Sequence, residues 1–250
     1  MIQKEKDGIH WLEFELLQGL PVVHGCMMRH GGVSTGPLAS LNMSDRPGDT
    51  EENVLINKRR VREALSISSL FFSHLNHGNL VLSVEQSTKE KYHDGTSTDK
   101  IDLAIGVSHA DCQAAIFYDP AKHVMANVHC GWRGSVQNIY RETVKHMGEK
   151  YGSRAADLLV CISPSLGPES AEFINYKTEL PESFWEYQVK PNYFDFWAIS
   201  EHQLMQEGVL RDHIQIAGID TLANEKDYFS HRRDPATGRN CTVCGLKSIT

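Results

Sequence analysis

The stretch from Leu103 to Tyr151 limits the fold more than any other, because short runs rich in Val, Ile and Phe give way there to a one-face helical pattern. Residues Leu103 to Val128, interrupted at Asp119-Pro120, read as strands, since β-branched and aromatic side chains suit a pleated, half-buried surface. Val136, Ile139, Tyr140, Val144 and Met147 then recur on one face, which predicts a helix from about Gly134 to Tyr151, just after a strand ending at His129. Only Gly131-Trp132-Arg133-Gly134 joins the two.

The rest of the chain follows the same mixture. Asp49 with Glu52 three residues on is a capping-box-like start, and Val54, Leu55, Val61 and Leu65 predict a helix over 50–66. Strands are expected within Leu70 to Gln86, broken at Asn76-His77-Gly78, and again at Leu158 to Ile162 and Ile214 to Ile219, with a helix from Phe194 to Gly208. Strands and helices do not alternate strictly, which favours an α/β (α+β) fold of mixed sheets with outer helices over a Rossmann array. Gly31-Gly32 and Gly36-Pro37 are turn chemistry without a dinucleotide fingerprint. No repeat or linker divides the 250 residues, so one domain over 1–250 is expected.

Charge and cysteine usage exclude several function classes. A formal charge of −7 and a pI of about 6.0 argue against a nucleic-acid or membrane-surface binder, which needs a basic face. A small partner is expected instead. There is no run of eighteen apolar residues, and Met1 to Gly8 is charged, so neither a span nor a secretory signal is read and a cytoplasmic location is expected. The six cysteines are scattered, which fits reduced thiols; Cys241 and Cys244 form a C-x-x-C pair, but no second pair accompanies them to complete a structural zinc site.

Three segments place a metal-ligand type at a strand end or turn: Asn76-His77-Gly78, Ala110-Asp111-Cys112 and Val128-His129-Cys130-Gly131. Two imidazoles and a thiolate suit zinc, and three protein ligands leave a coordination position open. On pattern alone the alternatives stay open: His77 as a turn histidine, Cys112 as a buried small hydrophobe, His129 as a satisfied core histidine.

Six segments occur in one order: Arg29-His30-Gly31-Gly32-Val33-Ser34, Ser40-Leu41-Asn42, Asn76-His77-Gly78, Ala110-Asp111-Cys112, His129-Cys130-Gly131-Trp132-Arg133-Gly134, and Arg232-Arg233-Asp234 through Thr237-Gly238-Arg239. Over roughly residues 20 to 245 the chain resembles the laccase-domain, or multicopper polyphenol oxidase, family, also called the YfiH/YlmD family. The resemblance implies a four-layer α/β/β/α fold, distantly shared with a toxin deamidase that uses a Cys-His pair. It further implies a zinc-containing purine nucleoside phosphorylase that cleaves adenosine, inosine and methylthioadenosine with phosphate and has adenosine deaminase activity. The family's metal ligands fall on His77, Cys112 and His129, and copper is conceivable as a substitute. Arg29 and Asn42 coincide with motif positions that would contact nucleoside or phosphate, or fix a loop.

Arg133 stands where a strand opens into a helix, so its guanidinium and free backbone N–H groups could converge on an anion, or it could pair structurally. Arg232 and Arg233 read as a strand leading into a turn. The chain departs from the family at His109, Cys130 and Leu75-Asn76. Strand alternation turns Cys130 away from His129 and gives His109 a non-ligand role. A second enzyme reading makes Cys112 a nucleophile activated by His129, a hydrolase or amidase that needs no metal. Phenol oxidation is a third, but the chain has one obvious cysteine ligand and no repeated His-x-His pairs, where multicopper chemistry needs several sites. A monomer is the default.

Overall fold

The computed structural model describes residues 1–44, 48–87 and 92–249. The N-terminal half runs β1 (Ile2–Lys6), β2 (Ile9–Glu13), β3 (Val22–Met27), α1 (Glu51–Leu65), β4 (Ser69–Phe72), β5 (Val81–Ser83), the one-turn α2 (Val84–Ser87), β6 (Gly95–Thr98), β7 (Leu103–His109) and β8 (Gln113–Asp119). There follow β9 (Val124–Cys130), α3 (Trp132–Val136), α4 (Ile139–Tyr151), β10 (Leu159–Ile162), the one-turn α5 (Tyr176–Glu179), β11 (Gln188–Lys190), β12 (Tyr193–Phe194), α6 (Phe196–Gln206), β13 (Ile214–Ile216) and β14 (Asn240–Leu246).

One six-stranded sheet has the order β1-β2-β3-β14-β7-β4, antiparallel apart from the edge pair β4–β7. The other, β13-β10-β8-β9-β6-β5, is antiparallel in its middle and parallel at both edges. Period-two alternation sorts the side chains into layers. On β14, Cys241 and Val243 pack with Val61, Ala64 and Leu65 of α1, whereas Cys244 and Leu246 pack with Ile116, Tyr118 and Met125 of the second sheet. On β8, Ala115 and Phe117 face the other way, against Ile139, Tyr140 and Met147 of α4. Helix, sheet, sheet and helix are therefore stacked in four layers. Cys241 and Cys244 lie in different layers, so they share no site, and all six cysteines are free thiols.

Several boundaries differ from those read in the sequence, each for a local reason. The first helix is capped by Thr50, which accepts from the Asn53 N–H, and not by Asp49; the Asp49 carboxylate instead accepts from the Thr50 N–H and the Asn53 amide. The helix expected over 134–151 is two helices, because Asn138 adopts a left-handed conformation (φ 52°) and caps α4 through the Arg141 N–H. The helix expected from Phe194 begins at Phe196 behind Asp195, whose side chain caps it, while Phe194 pairs in β12. The strand expected to Ile219 ends at Ile216, and Arg232 and Arg233 lie in a turn, not a strand.

Between the sheets, His24 is buried, stacked near Phe14, and accepts the Phe14 N–H on Nε2 at 2.8 Å. Burial pushes its pKa down to about 4, against the opposing pull of Glu13. An unfolded histidine titrates near 6.5, so between these values the unfolded chain binds the extra proton. This stability is present above about pH 6.5 and is lost as pH falls toward 4, at most about 3 kcal/mol. Denaturant melts of the wild type and His24→Gln at about pH 7.5 and about pH 5 should show a shallower pH dependence in the variant; an identical dependence would refute this role.

Candidate metal centre

His77 sits in the turn between β4 and β5 with a left-handed backbone (φ 61°), a conformation that needs outside support. Asp94, just before β6, supplies it. Its Oδ2 accepts the N–H groups of Asn76 (3.2 Å) and Gly78 (2.8 Å), and its Oδ1 accepts the N–H of His77 (3.0 Å). The same Oδ1 takes the Nδ1 proton of His129 at 2.9 Å, and the Asp94 carbonyl accepts the His129 N–H at 2.7 Å. One carboxylate with no exposed surface thus ties the His77 turn to the His129 ring. Because Nδ1 of His129 is committed to Asp94, its Nε2 lone pair is the one left for a ligand.

Cys112 lies between β7 and β8, after Asp111, which is also left-handed (φ 83°). Asp111 accepts Thr221 Oγ1 at 2.8 Å and the Arg232 N–H at 2.6 Å, while its carbonyl accepts the Leu166 N–H at 2.9 Å. These bonds pin the corner that presents the thiol. The ligand atoms of His77, Cys112 and His129 all lie within 4.8 Å of one another, and the two imidazole centroids are 4.9 Å apart at 70°. A Cβ on Gly131 would come within 3.0 Å of His77 Nδ1 and 3.1 Å of Cys112 Sγ, so glycine keeps the space beside the cluster open.

Burial opposes ionisation of Cys112, but His129 and His77 outweigh it and bring the thiol down to about 6. Burial likewise opposes charge on His129, yet the Cys112 thiolate and the Asp94 hydrogen bond raise it to about 9. Burial pushes the Asp94 carboxyl up, but His129 and the N–H groups of Gly78 and Asn76 outweigh it and hold it below its usual value. An ionised thiolate, two histidines and a carboxylate behind one of them form a donor set that fits a tetrahedral N/S-preferring cation. Among the described residues this is the one such cluster. A multicopper array would need more.

Two cavities meet at the cluster and share His77, Ala110, Cys112 and His231. The first, about 340 Å³, has walls formed by Trp132, Phe173 and Phe196, with Arg133 and Arg232 beside them. The second, about 320 Å³, is polar, lined by His74, His109, His129, Ser73 and Arg239. The Arg239 guanidinium donates through Nη1 to the carbonyls of Thr237 and Gly238, and the main-chain N–H of Arg239 donates to Asn42 Oδ1 at 2.8 Å. Burial pulls its pKa down, while the charges of Cys112 and Asp111 act in the other direction.

The remaining candidates are distributed unevenly. Arg133 lines the aromatic cavity with its guanidinium 4.3 Å over the Trp132 ring. Arg29 lies outside both cavities: Nε and Nη2 donate to the Ala39 carbonyl, Nη1 to that of Glu225, and the group stacks 4.4 Å over Phe229. Asn42 is fully buried, bonded to Ser44, Asp49 and Arg239, and reaches the polar cavity through Ser44 and Arg239, which line it. His109 donates to or accepts from Thr242 Oγ1 at 3.0 Å and stays outside the ligand trio; Cys130 points into the helical layer, with Sγ 3.3 Å from Ser135 Oγ. Sequence reasoning missed Asp94, whose partners lie 16 to 35 residues away, and did not rank Arg239 or His231.

A mixed α/β/β/α protein with a His-Cys-His cluster between an aromatic and a polar cavity is the class defined by fold and site. Residues 23–247 match the family described as multi-copper polyphenol oxidoreductase laccase, and the chain belongs to that family. Among its relatives, the purine nucleoside phosphorylase YlmD of Bacillus subtilis (strain 168) is 29% identical over 90% of this chain and 89% of its own. A purine nucleoside phosphorylase of Deinococcus radiodurans is 30% identical, covering 91% and 90%. The crystal structure of YlmD from Geobacillus stearothermophilus matches with a TM-score of 0.87 and 27% identity, over 98% of each chain. No helix among the described residues is long and apolar enough to cross a membrane.

Proposed function

We propose that this protein is a zinc-containing purine nucleoside phosphorylase, taking inosine, adenosine and methylthioadenosine with phosphate to the free base and the sugar 1-phosphate, with deamination of adenosine as a second activity. The observation that carries the reading is the meeting of an aromatic and a polar cavity at one ligand cluster; the names of its relatives support it. Flat faces at Trp132, Phe173 and Phe196 suit a purine, and Arg239 with His74 and His231 suits phosphate and ribose hydroxyls.

In phosphorolysis an oxygen of hydrogen phosphate bonds to C1′ as the N9–C1′ bond breaks, and the base leaves with the electron pair and takes up the proton the phosphate gives up. Arg239 holds the anion beside C1′ and offsets charge as it shifts. His77, Cys112 and His129 would hold the zinc, which when bound supplies Lewis-acid polarisation and lowers the pKa of water, as deamination requires. Asp94 fixes the His129 tautomer and the His77 turn. Arg133 steadies the Trp132 face, and Arg29 and Asn42 hold the loops that carry the site. The protein acts as a cytoplasmic monomer of one domain.

A second reading rests on the Cys112–His129–Asp94 chain, which has the order of nucleophile, base and orienting carboxylate and an ionised thiol without metal. The two are separated by metal analysis with base release from inosine and adenosine, with and without phosphate. About one zinc per chain and phosphate-dependent release that a chelator abolishes is the expected result. Chelator-resistant amide hydrolysis by metal-free protein would replace phosphorolysis with the thiol mechanism.

A further inference from the structure

The residue after Cys112 is Gln113, the first of β8, whose side chain stands in the wall of the aromatic cavity with almost no exposed surface. Its surroundings fix which way the amide faces. Nε2 donates to the Phe196 main-chain carbonyl at 3.1 Å, an acceptor that a flipped amide oxygen would repel. Oε1 accepts from Tyr140 Oη at 2.5 Å and lies 2.8 Å from Ser200 Oγ, whose single proton is divided between it and the Phe196 carbonyl at 2.7 Å; both side chains are fully buried. The oxygen is engaged by Tyr140 and in part by Ser200, and one of the two N–H groups has no protein hydrogen-bond partner among the described residues.

We propose that Gln113 is a specificity-determining residue that offers this N–H to the 6-position of a purine in the aromatic cavity, favouring 6-oxopurines over 6-aminopurines. The inference rests on the base occupying that cavity, as in the proposed function. Aromatic faces grip any purine alike, so discrimination falls to polar groups whose donor or acceptor sense is locked. A 6-oxo group is an acceptor and completes the fourth bond of the amide. A 6-amino group is a donor, and two donors turned toward each other in a dry wall leave both unpaired, or force the base to shift.

Calorimetric binding of hypoxanthine and of adenine to the full chain, without phosphate, tests this apart from catalysis. The wild type should bind hypoxanthine about tenfold more tightly, the worth of one net hydrogen bond. Gln113→Leu should bring the two bases to within about twofold of each other. Because leucine leaves Tyr140 without its acceptor, Gln113→Glu is the companion variant: a carboxyl group of the same shape keeps an oxygen for Tyr140 and puts an oxygen where the amide N–H faced the base. It should prefer adenine. Equal weakening of both bases with the preference retained in both variants would mean that Gln113 only supports the wall, and a wild type that binds neither base, or both alike, would also overturn the inference. A wild type that binds hypoxanthine selectively but releases no base with phosphate would sink the phosphorylase reading and leave this one standing.

Discussion

Cys112→Ala is expected to take the purified protein from about one bound metal ion per chain to almost none. Base release from inosine should fall on the order of a thousandfold, equivalent to about 4 kcal/mol of transition-state stabilisation. The reasoning starts from ionisation. With its thiol near 6, Cys112 is mostly thiolate at neutral pH, so the sulfur is the anionic donor of the trio and gives up no proton to a cation; His129, raised to about 9, is the group that must release one. Alanine leaves two neutral imidazoles, too few for a tight site. Folding should survive, since Cys112 is only partly buried and the corner is pinned by Asp111 through Thr221 and Arg232; a stability loss under about 1 kcal/mol is expected. Cys130→Ala is the control for metal content, as Cys130 Sγ lies against Ser135 and not in the cluster, although the residue lines the aromatic cavity. Metal analysis and initial rates on both variants decide the matter. Full metal content in Cys112→Ala would remove the sulfur from the ligand set, and loss of activity on thiol alkylation of metal-free wild type would favour the nucleophile reading.

How far the sequence foretells this arrangement depends on how local each cause is. The Val-, Ile- and Phe-rich runs from Leu103 to Val128 and the one-face pattern at Ile139, Tyr140 and Met147 are local signals of strand and helix, and they give the mixed α/β class directly. The break at Asn138 is also local, yet a hydrophobic pattern continues through it, so periodicity alone merges α3 and α4. The strand-end and turn positions of His77, Cys112 and His129 leave structural readings open, and the family resemblance is what singles them out; their convergence depends on Asp94. His93-Asp94-Gly95 has no motif to draw notice. Its importance arises from β6 pairing with β9, with Gly95 opposite Val128, which sets a carboxylate beside His129. Arg29 shows the converse: a prominent charged residue in a motif whose donors are spent on the carbonyls of Ala39 and Glu225. A buried loop must satisfy its backbone, and sequence does not say which arginine does that work.

Asp94→Asn is therefore the substitution expected to separate the cluster's architecture from its candidate ligands, because it leaves the side chains of His77, Cys112 and His129 in place. In either amide orientation the –NH₂ group confronts two donors that the carboxylate accepted: His77 N–H and His129 Nδ1–H on one side, or Asn76 N–H and Gly78 N–H on the other. The lower-energy orientation keeps oxygen toward His129 and orphans the turn, so the left-handed His77 loses part of its support. A stability loss of about 2–4 kcal/mol follows from unpaired buried donors. Metal affinity should fall about 10–100-fold, the usual cost of removing the carboxylate behind a ligating histidine. Asp94→Ala should lose more of both, since it removes all four bonds. The sign of the pH effect is also fixed. The carboxylate's pKa is held below its unfolded value, so its contribution is complete above that value and is lost as pH falls through the lowered one. Chelator-competition titrations and denaturant melts on the two variants are the measurements. Affinity within about twofold of wild type together with the full stability loss would show that Asp94 braces the fold but does not tune the metal ligands.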